Sequence, residues 1–309
     1  MRLHRRSLLA DAGLGLLAAC ARGGARDDVL LVGDQRGGSK VVLDAIGALA
    51  ALPYHIEWSS FPNAAPLLEA LNAGAIDTGI GGDAAFIFAI GSGAKIKAIG
   101  AQRYEGPGPV LIVRGDSPIR TVEQIAGKRI ATPRGSISHN LILAALEAQG
   151  RPLDAVNFAF LSPQDGQAAM QGGSVDGWAI WDPYAELAVR GGARVVGGLD
   201  GLVPSYALVF GRDGAIADKR PLLADYQARL RRGWAWAAAH GDDYARLLAR
   251  ETGVDVAAWQ SVTRRTRRLA APIDATLIAD QQRTADRYRR AGLIDRPVDV
   301  ATGFDASFA

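Results

Sequence analysis

The stretch RIATPRGSISHNLILAALEAQ, residues 129–149, holds one whole unit of the fold. Arg129–Thr132 reads as a short strand, the next residues as a polar turn, and 138–149 as a helix with an apolar face. The same order repeats on both sides. Downstream, 156–161 reads as strand, 164–171 as helix, 177–181 as strand and 183–190 as helix. Upstream, strands at 29–33, 54–58, 78–81 and 96–101 alternate with helices at 39–52, 63–72 and 83–90. Such alternation predicts a mostly parallel sheet with helices on both faces.

The alternation falls into two sets. Val110–Val113 and residues 206–210 bracket the second, and both are read as strands that cross between lobes. From Asp213 the chain reads as helical, with Trp234, Trp236 and Leu247 available for packing over the first lobe. The expectation is an α/β protein of two lobes joined by two hinge strands. Residues 29–113 and 211–309 form the first lobe, residues 114–210 the second, and a cleft lies between them.

Composition narrows the class. The 309 residues are 49% hydrophobic and 22% charged, with a formal net charge of +3, which excludes a disordered chain. No uninterrupted apolar stretch reaches the roughly 18 residues of a membrane-spanning helix. Of the +3, residues 1–19 supply +2, from Arg2, Arg5 and Arg6 against Asp11. The rest is close to neutral, so no nucleic-acid partner is expected. Arg264, Arg265, Arg267 and Arg268 read as a solvated helical face near Glu251 and Asp255 rather than a nucleic-acid contact.

The first twenty residues read as an address. A basic start, a short apolar run from Leu8 to Ala19 and small residues before a boundary are the parts of an export signal. Leu17-Ala18-Ala19-Cys20 resembles a bacterial lipobox, in which the cysteine thiol receives a diacylglycerol. This predicts a signal peptide at 1–19, a lipid anchor on Cys20, a linker at 20–28 and a protein held at a membrane surface in the periplasm. Arg5-Arg6-Ser7-Leu8-Leu9 fits twin-arginine export and is equally compatible with the general secretory route. Cys20 is the single cysteine, so neither an intramolecular disulfide nor a cysteine-based metal site can form.

Three strand-to-helix loops offer a binding site. Gly81-Gly82-Asp83 turns tightly into an apolar helix. Residues 132–140 supply Ser136, Ser138, His139 and the free amides of a helix start. Trp181-Asp182-Pro183-Tyr184 reads as an N-cap followed by proline at the first helical position. In open α/β sheets ligands bind beyond the carboxyl ends of the strands, and helix N-termini favour anions. Taken singly, the loops read as ordinary caps, His139 as a helix-surface residue, and Trp178 and Trp181 as core.

Together these residues carry a resemblance. Phe61-Pro62, residues 68–77, Gly82-Asp83, residues 135–141 and residues 175–184 resemble the aliphatic-sulfonate-binding proteins of bacterial ABC importers. The resemblance runs from about Val29 into the C-terminal helices and implies a type II periplasmic-binding-protein fold. It further implies delivery of the bound solute to a permease and its ATPase. Related members bind taurine, nitrate or thiamine precursors. This chain places Arg134 before Gly135, and Ile137 leaves no hydroxyl between the two serines.

A sulfonate is a permanent anion with three acceptor oxygens, suited to converging N–H and O–H donors. The expected ligand-binding set is Gln35, Phe61, Gly82, Asp83, Ser136, Ser138, His139, Trp181 and Asp182. Gln35 would donate an amide hydrogen, Phe61 and Trp181 would wall the organic tail, and Asp83 and Asp182 would cap helices. No acidic residue stands out for an ammonium group, which favours a plain alkanesulfonate over taurine. The rival is an enzyme on the same fold, but the chain has no G-x-S-x-G, P-loop or H-E-x-x-H motif, and no cofactor is expected.

Overall fold

A computed structural model of the chain describes residues 28–308. The expected leader and Cys20 lie outside the described residues. The chain first builds β1 (Val29–Gln35), α1 (Ser39–Ala45), β2 (His55–Phe61), α2 (Ala64–Asn72), β3 (Thr78–Gly82), α3 (Asp83–Gly91) and β4 (Ile96–Glu105). It then forms β5 (Val110–Val113), β6 (Arg129–Thr132), α4 (Ile137–Ala148), β7 (Asn157–Phe160) and α5 (Pro163–Gln171). These are followed by β8 (Gly177–Ile180), α6 (Tyr184–Arg190) and β9 (Arg194–Val195). The return comprises β10 (Tyr206–Arg212), α7 (Asp213–Asp218), α8 (Arg220–Ala239), α9 (Gly241–Thr252), α10 (Val256–Arg265), β11 (Arg267–Ala271) and α11 (Ala275–Arg290).

Two sheets result, ordered β11-β4-β10-β3-β1-β2 and β7-β6-β8-β5-β9. In the first, β1 runs parallel to β2 and β3, while β10 lies antiparallel between β3 and β4. In the second, β6 runs parallel to β7 and β8, with β5 antiparallel to β8. Residues 106–109 join the end of β4 to the start of β5, and Val110 pairs with Ile180 at the end of β8. The carboxyl edges of the two sheets therefore face one another, and the loops that leave them meet between the lobes.

Both faces of each sheet are covered. On the first lobe, Val42, Leu223, Tyr226, Leu230 and Trp234 fill one side. Leu67, Leu71, Phe86, Phe210 and Tyr288 fill the other. The second lobe buries Leu111, Ile130, Leu141 and Leu146 on one side and Trp178, Ile180 and Met170 on the other. Leu143 of α4 packs into the first lobe's core, so the two lobes share an apolar seam.

Three expectations are corrected. Val110–Val113 pairs only within the second sheet and β10 only within the first, so neither strand spans the lobes. The crossings are Gly106-Pro107-Gly108-Pro109 and residues 196–205. Proline cannot donate to a ladder, so a Gly-Pro run is where pairing stops. The helix expected at 39–52 ends at Ala45, because Gly47 turns to a φ of 64° and its amide returns to the Asp44 carbonyl. The arginine run is not one helical face, since α10 ends at Arg265 and Arg267–Ala271 pairs with β4 as a strand.

One ionic knot holds the first lobe. Asp77, with no exposed surface, accepts from Arg212 Nη2 at 2.6 Å, Lys219 Nζ at 2.7 Å and the Leu31 amide at 3.0 Å. Lys219 also donates to the Val29 carbonyl at 2.8 Å, tying β1 to the start of α8. Burial opposes the charge on Asp77, yet the bonds from Lys219, Leu31 and Arg212 outweigh it and hold its pKa below the ordinary value. Asp77→Asn leaves two cations without a counter-charge and is expected to cost about 3–5 kcal/mol in urea denaturation at pH 7. A loss under about 1 kcal/mol would contradict this. The pH dependence follows from the lowered pKa: the stabilisation is present at neutral pH and is lost as pH falls below about 4.

Candidate functional site

The first turn of α4 is built by its neighbours. Gly135 has φ of 68°, and a β-carbon there would stand 2.9 Å from Phe88 Cγ, so both backbone and space require glycine. Ser136 caps the helix, its Oγ accepting from the His139 amide at 3.2 Å. The Gly135 amide donates to His139 Nδ1 at 3.2 Å, which leaves the ring proton on Nε2. His139 is buried, with ring centroids of Phe158 at 4.6 Å, Phe160 at 5.1 Å and Tyr288 at 6.1 Å. Burial, helped by Arg134, pushes its pKa down to about 4. His139 is thus a neutral strut of the loop, neither a helix-surface residue nor a cation for a ligand.

What remains at this helix start is unused. The amides of Ile137 and Ser138 make no hydrogen bond to a described residue, and Ser138 Oγ is buried without a partner. A buried hydroxyl with nothing to bond is costly. Tyr288 Oη, from α11 of the other lobe, donates to the Ser136 carbonyl at 3.1 Å and fixes the turn across the cleft.

The neighbouring helix starts are already occupied by carboxyl groups. Asp34 accepts from the Ser39 and Lys40 amides of α1 at 2.9 and 2.8 Å. Asp83 accepts from the Ala84 amide of α3 at 2.7 Å and from Gln281 Nε2 of α11 at 2.8 Å. Burial pushes the Asp83 pKa up to about 7 despite those bonds. Asp182 accepts from the Glu186 amide of α6 at 3.2 Å and from Arg265 Nη2 at 2.8 and 2.7 Å. Neither aspartate is the expected N-cap: Gly82 and Pro183 hold those positions, so proline precedes α6 instead of opening it, and each carboxyl group accepts from one early amide of its helix. The starts of α3 and α6 accordingly have less to offer an anion than that of α4.

The structure divides the expected set. Through Gln281 and Tyr288, α11 brings Gly82 and Asp83 to the same side as Ser136, Ser138 and His139. A β-carbon added at Gly82 would meet nothing within 4 Å, so open space lies beside it. Trp181 packs half-buried against the second lobe's core, and Asp182 lies with Arg265 of α10. Gln35 spends its Nε2 on the Ile80 carbonyl at 3.0 Å, and Phe61 packs beside Gly33 and the Leu67 core. Those two sit in the framework rather than in contact with the α4 turn.

Sequence reasoning missed the contribution of the C-terminal half. Tyr288 and Arg265 reach the other lobe, and Gln281 reaches Asp83, from helices read only as covering. Gln102 on β4 was also missed; it is buried beside β10, with Nε2 unpartnered. The seven-residue spacing of Gln281 and Tyr288 puts both on one helix face, but a polar face ordinarily reads as solvated. Among the described residues, no group of three or more His, Cys, Asp or Glu could hold a metal.

Two lobes facing across short crossings, with helix starts converging between them, define an α/β solute-binding protein of the two-lobed kind. A family model described as NMT1/THI5 like matches residues 60–243, and the chain belongs to that family. A protein of Escherichia coli (strain K12) named for aliphatic sulfonates is 32% identical over 278 residues, 88% of this chain and 87% of that protein. The crystal structure of the periplasmic aliphatic sulphonate binding protein SsuA from Escherichia coli matches with a TM-score of 0.80 at 31% identity, over 89% of this chain and 97% of that one. The alkanesulfonate-binding protein SsuA from Xanthomonas axonopodis pv. citri, bound to MOPS, matches at 0.83 and 30% identity, over 90% and 98%.

The two buried titrating groups act on stability in opposite senses. Between about pH 4 and 6.5 unfolded His139 binds a proton that the folded ring refuses, so its contribution rises with pH. Between 3.8 and about 7, folded Asp83 keeps a proton that the unfolded carboxyl has lost, so its contribution falls as pH rises. Relative to wild type, Asp83→Asn is expected to make stability climb more steeply with pH, and His139→Gln to make it climb less. Each changes the slope by up to about 1.4 kcal/mol per pH unit. Urea denaturation across that range checks both, and identical profiles for the two variants would contradict the assignment.

Proposed function

We propose that this chain is the extracytoplasmic solute-binding component of an ABC importer, and that it carries an aliphatic sulfonate between its lobes to a permease and its ATPase. The observation that carries this reading is the first turn of α4, where free amides and the unpartnered Ser138 hydroxyl are held between two lobes. The relatives named for sulfonates support the choice of anion. Those relatives are binding proteins, and the role proposed here is binding without turnover.

The magnitudes set what the cleft must do. A helix start gives an anion about 0.3–1 kcal/mol, up to about 2 when partly buried, whereas micromolar affinity needs about 8 kcal/mol. Charge-assisted hydrogen bonds of about 1.5–3 kcal/mol each have to supply most of the rest. Enclosure between lobes strengthens each one by removing water. Asp83 is tied to Gln281 and Asp182 to Arg265, which leaves neither carboxylate free for an ammonium group and favours a plain alkanesulfonate. Gln35 and Phe61 then act behind the site, while Ser136 and His139 hold the turn and Ser138 meets the ligand.

Ser138→Ala is expected to weaken alkanesulfonate binding by about 1.5–3 kcal/mol, roughly 10- to 150-fold, while the unliganded protein keeps its stability. Calorimetric titration with ethanesulfonate decides it: equal affinities remove Ser138 from the site, and no binding by either protein removes the sulfonate. The same proposal places the protein in the periplasm, anchored to a membrane by acylated Cys20. Radiolabelled fatty acid is expected in the wild type and absent from Cys20→Ser; equal label in both overturns the anchor.

A further inference from the structure

The four arginines near residue 266 do not share a fate. Arg264 pairs with Asp242 at the exposed surface, at 3.2 Å. Arg265 grips Asp182 with Nη2 and Glu186 with Nη1, the latter at 2.7 Å. Arg267 pairs with Glu105 at 2.9 Å. Arg268 is different: it is half-buried, and among the described residues its side chain has no ion pair and no hydrogen bond. Its guanidinium lies over the Tyr104 ring, 5.0 Å from the centroid.

Its position is beside one of the two crossings between the lobes. On β11 it pairs with Tyr104, one residue short of the end of β4 and next to the Gly106–Pro109 crossing. Burial works against its charge, while Tyr104, Tyr244 and the Asp182 carboxylate favour it. Asp182 belongs to the opposite lobe, so the field of Arg268 spans the gap. Asp182 is already held by both bonds from Arg265, so Arg268 has no carboxylate of its own.

We infer that Arg268 supplies the counter-charge to the anionic group of the ligand in the cleft. This rests on the sulfonate reading given above and adds a full positive charge to it. A guanidinium whose N–H donors no protein group claims can take an incoming anion without breaking an existing ion pair. The Tyr104 ring beside it steadies the guanidinium, whose planar fork of N–H donors suits two oxygens of a sulfonate. A lysine in its place keeps the charge and loses the fork.

The test is calorimetric titration of wild type, Arg268→Met and Arg268→Lys with ethanesulfonate at low and moderate salt, with thermal unfolding of each unliganded protein. Arg268→Met keeps the apolar stem and is expected to bind about 10- to 100-fold more weakly, with a shallower salt dependence. Arg268→Lys is expected to recover part of the loss, and unliganded melting is expected to be no lower in either variant. Equal affinity in wild type and Arg268→Met overturns this inference alone. Lowered unliganded melting that matches the affinity loss also overturns it, because the arginine would then serve packing. A wild type that binds no alkanesulfonate overturns the sulfonate reading and this inference together.

Discussion

The seam between α4 and α11 decides where everything else in the cleft can stand. Along it, Tyr288 holds the Ser136 carbonyl, and Asn140 Nδ2 donates to Thr284 Oγ1 at 3.2 Å. Arg287 bonds both Asn140 Oδ1 at 2.7 Å and Glu147 Oε2 at 2.6 Å, and Arg290 also reaches Glu147. Leu143, between them, is buried in the core of the opposite lobe. The helix whose start carries the free amides is thus positioned by the lobe it does not belong to. A ligand at that start is a ligand of both lobes.

The second organising feature is the placement of carboxylates. At the cleft edge, α1, α3 and α6 each have an aspartate on one or more of their early amides, from Asp34, Asp83 and Asp182. The start of α4 is instead closed by a neutral hydroxyl and backed by a neutral imidazole. An early amide of a helix is open to a ligand where no side chain has already taken it. Arg268 then adds a full charge from the first lobe, and Arg265 keeps Asp182 from competing for it.

Much of the architecture was legible because strand-loop-helix units are local patterns, and residues 129–149 display one without help from the rest of the chain. The lobe boundaries were less so. Val110–Val113 looks the same whether it crosses or pairs, and only its partners Ile180 and Val195 place it in the second sheet. The loops of the site were found from their glycines and caps, but not what their side chains do. His139 is buried by Phe158 and Tyr288, and Asp83 is claimed by Gln281 from 198 positions away. The arginine run was misread as helical because charged residues carry no period, and its strand character depends on pairing with β4.

A crystal structure of the complex with ethanesulfonate tests the central claim most directly. The account predicts sulfonate oxygens within hydrogen-bond distance of the Ile137 and Ser138 amides and of Ser138 Oγ, with both lobes in contact with the ligand. A sulfonate bound elsewhere, with Ser138 Oγ still lacking a partner, would contradict it.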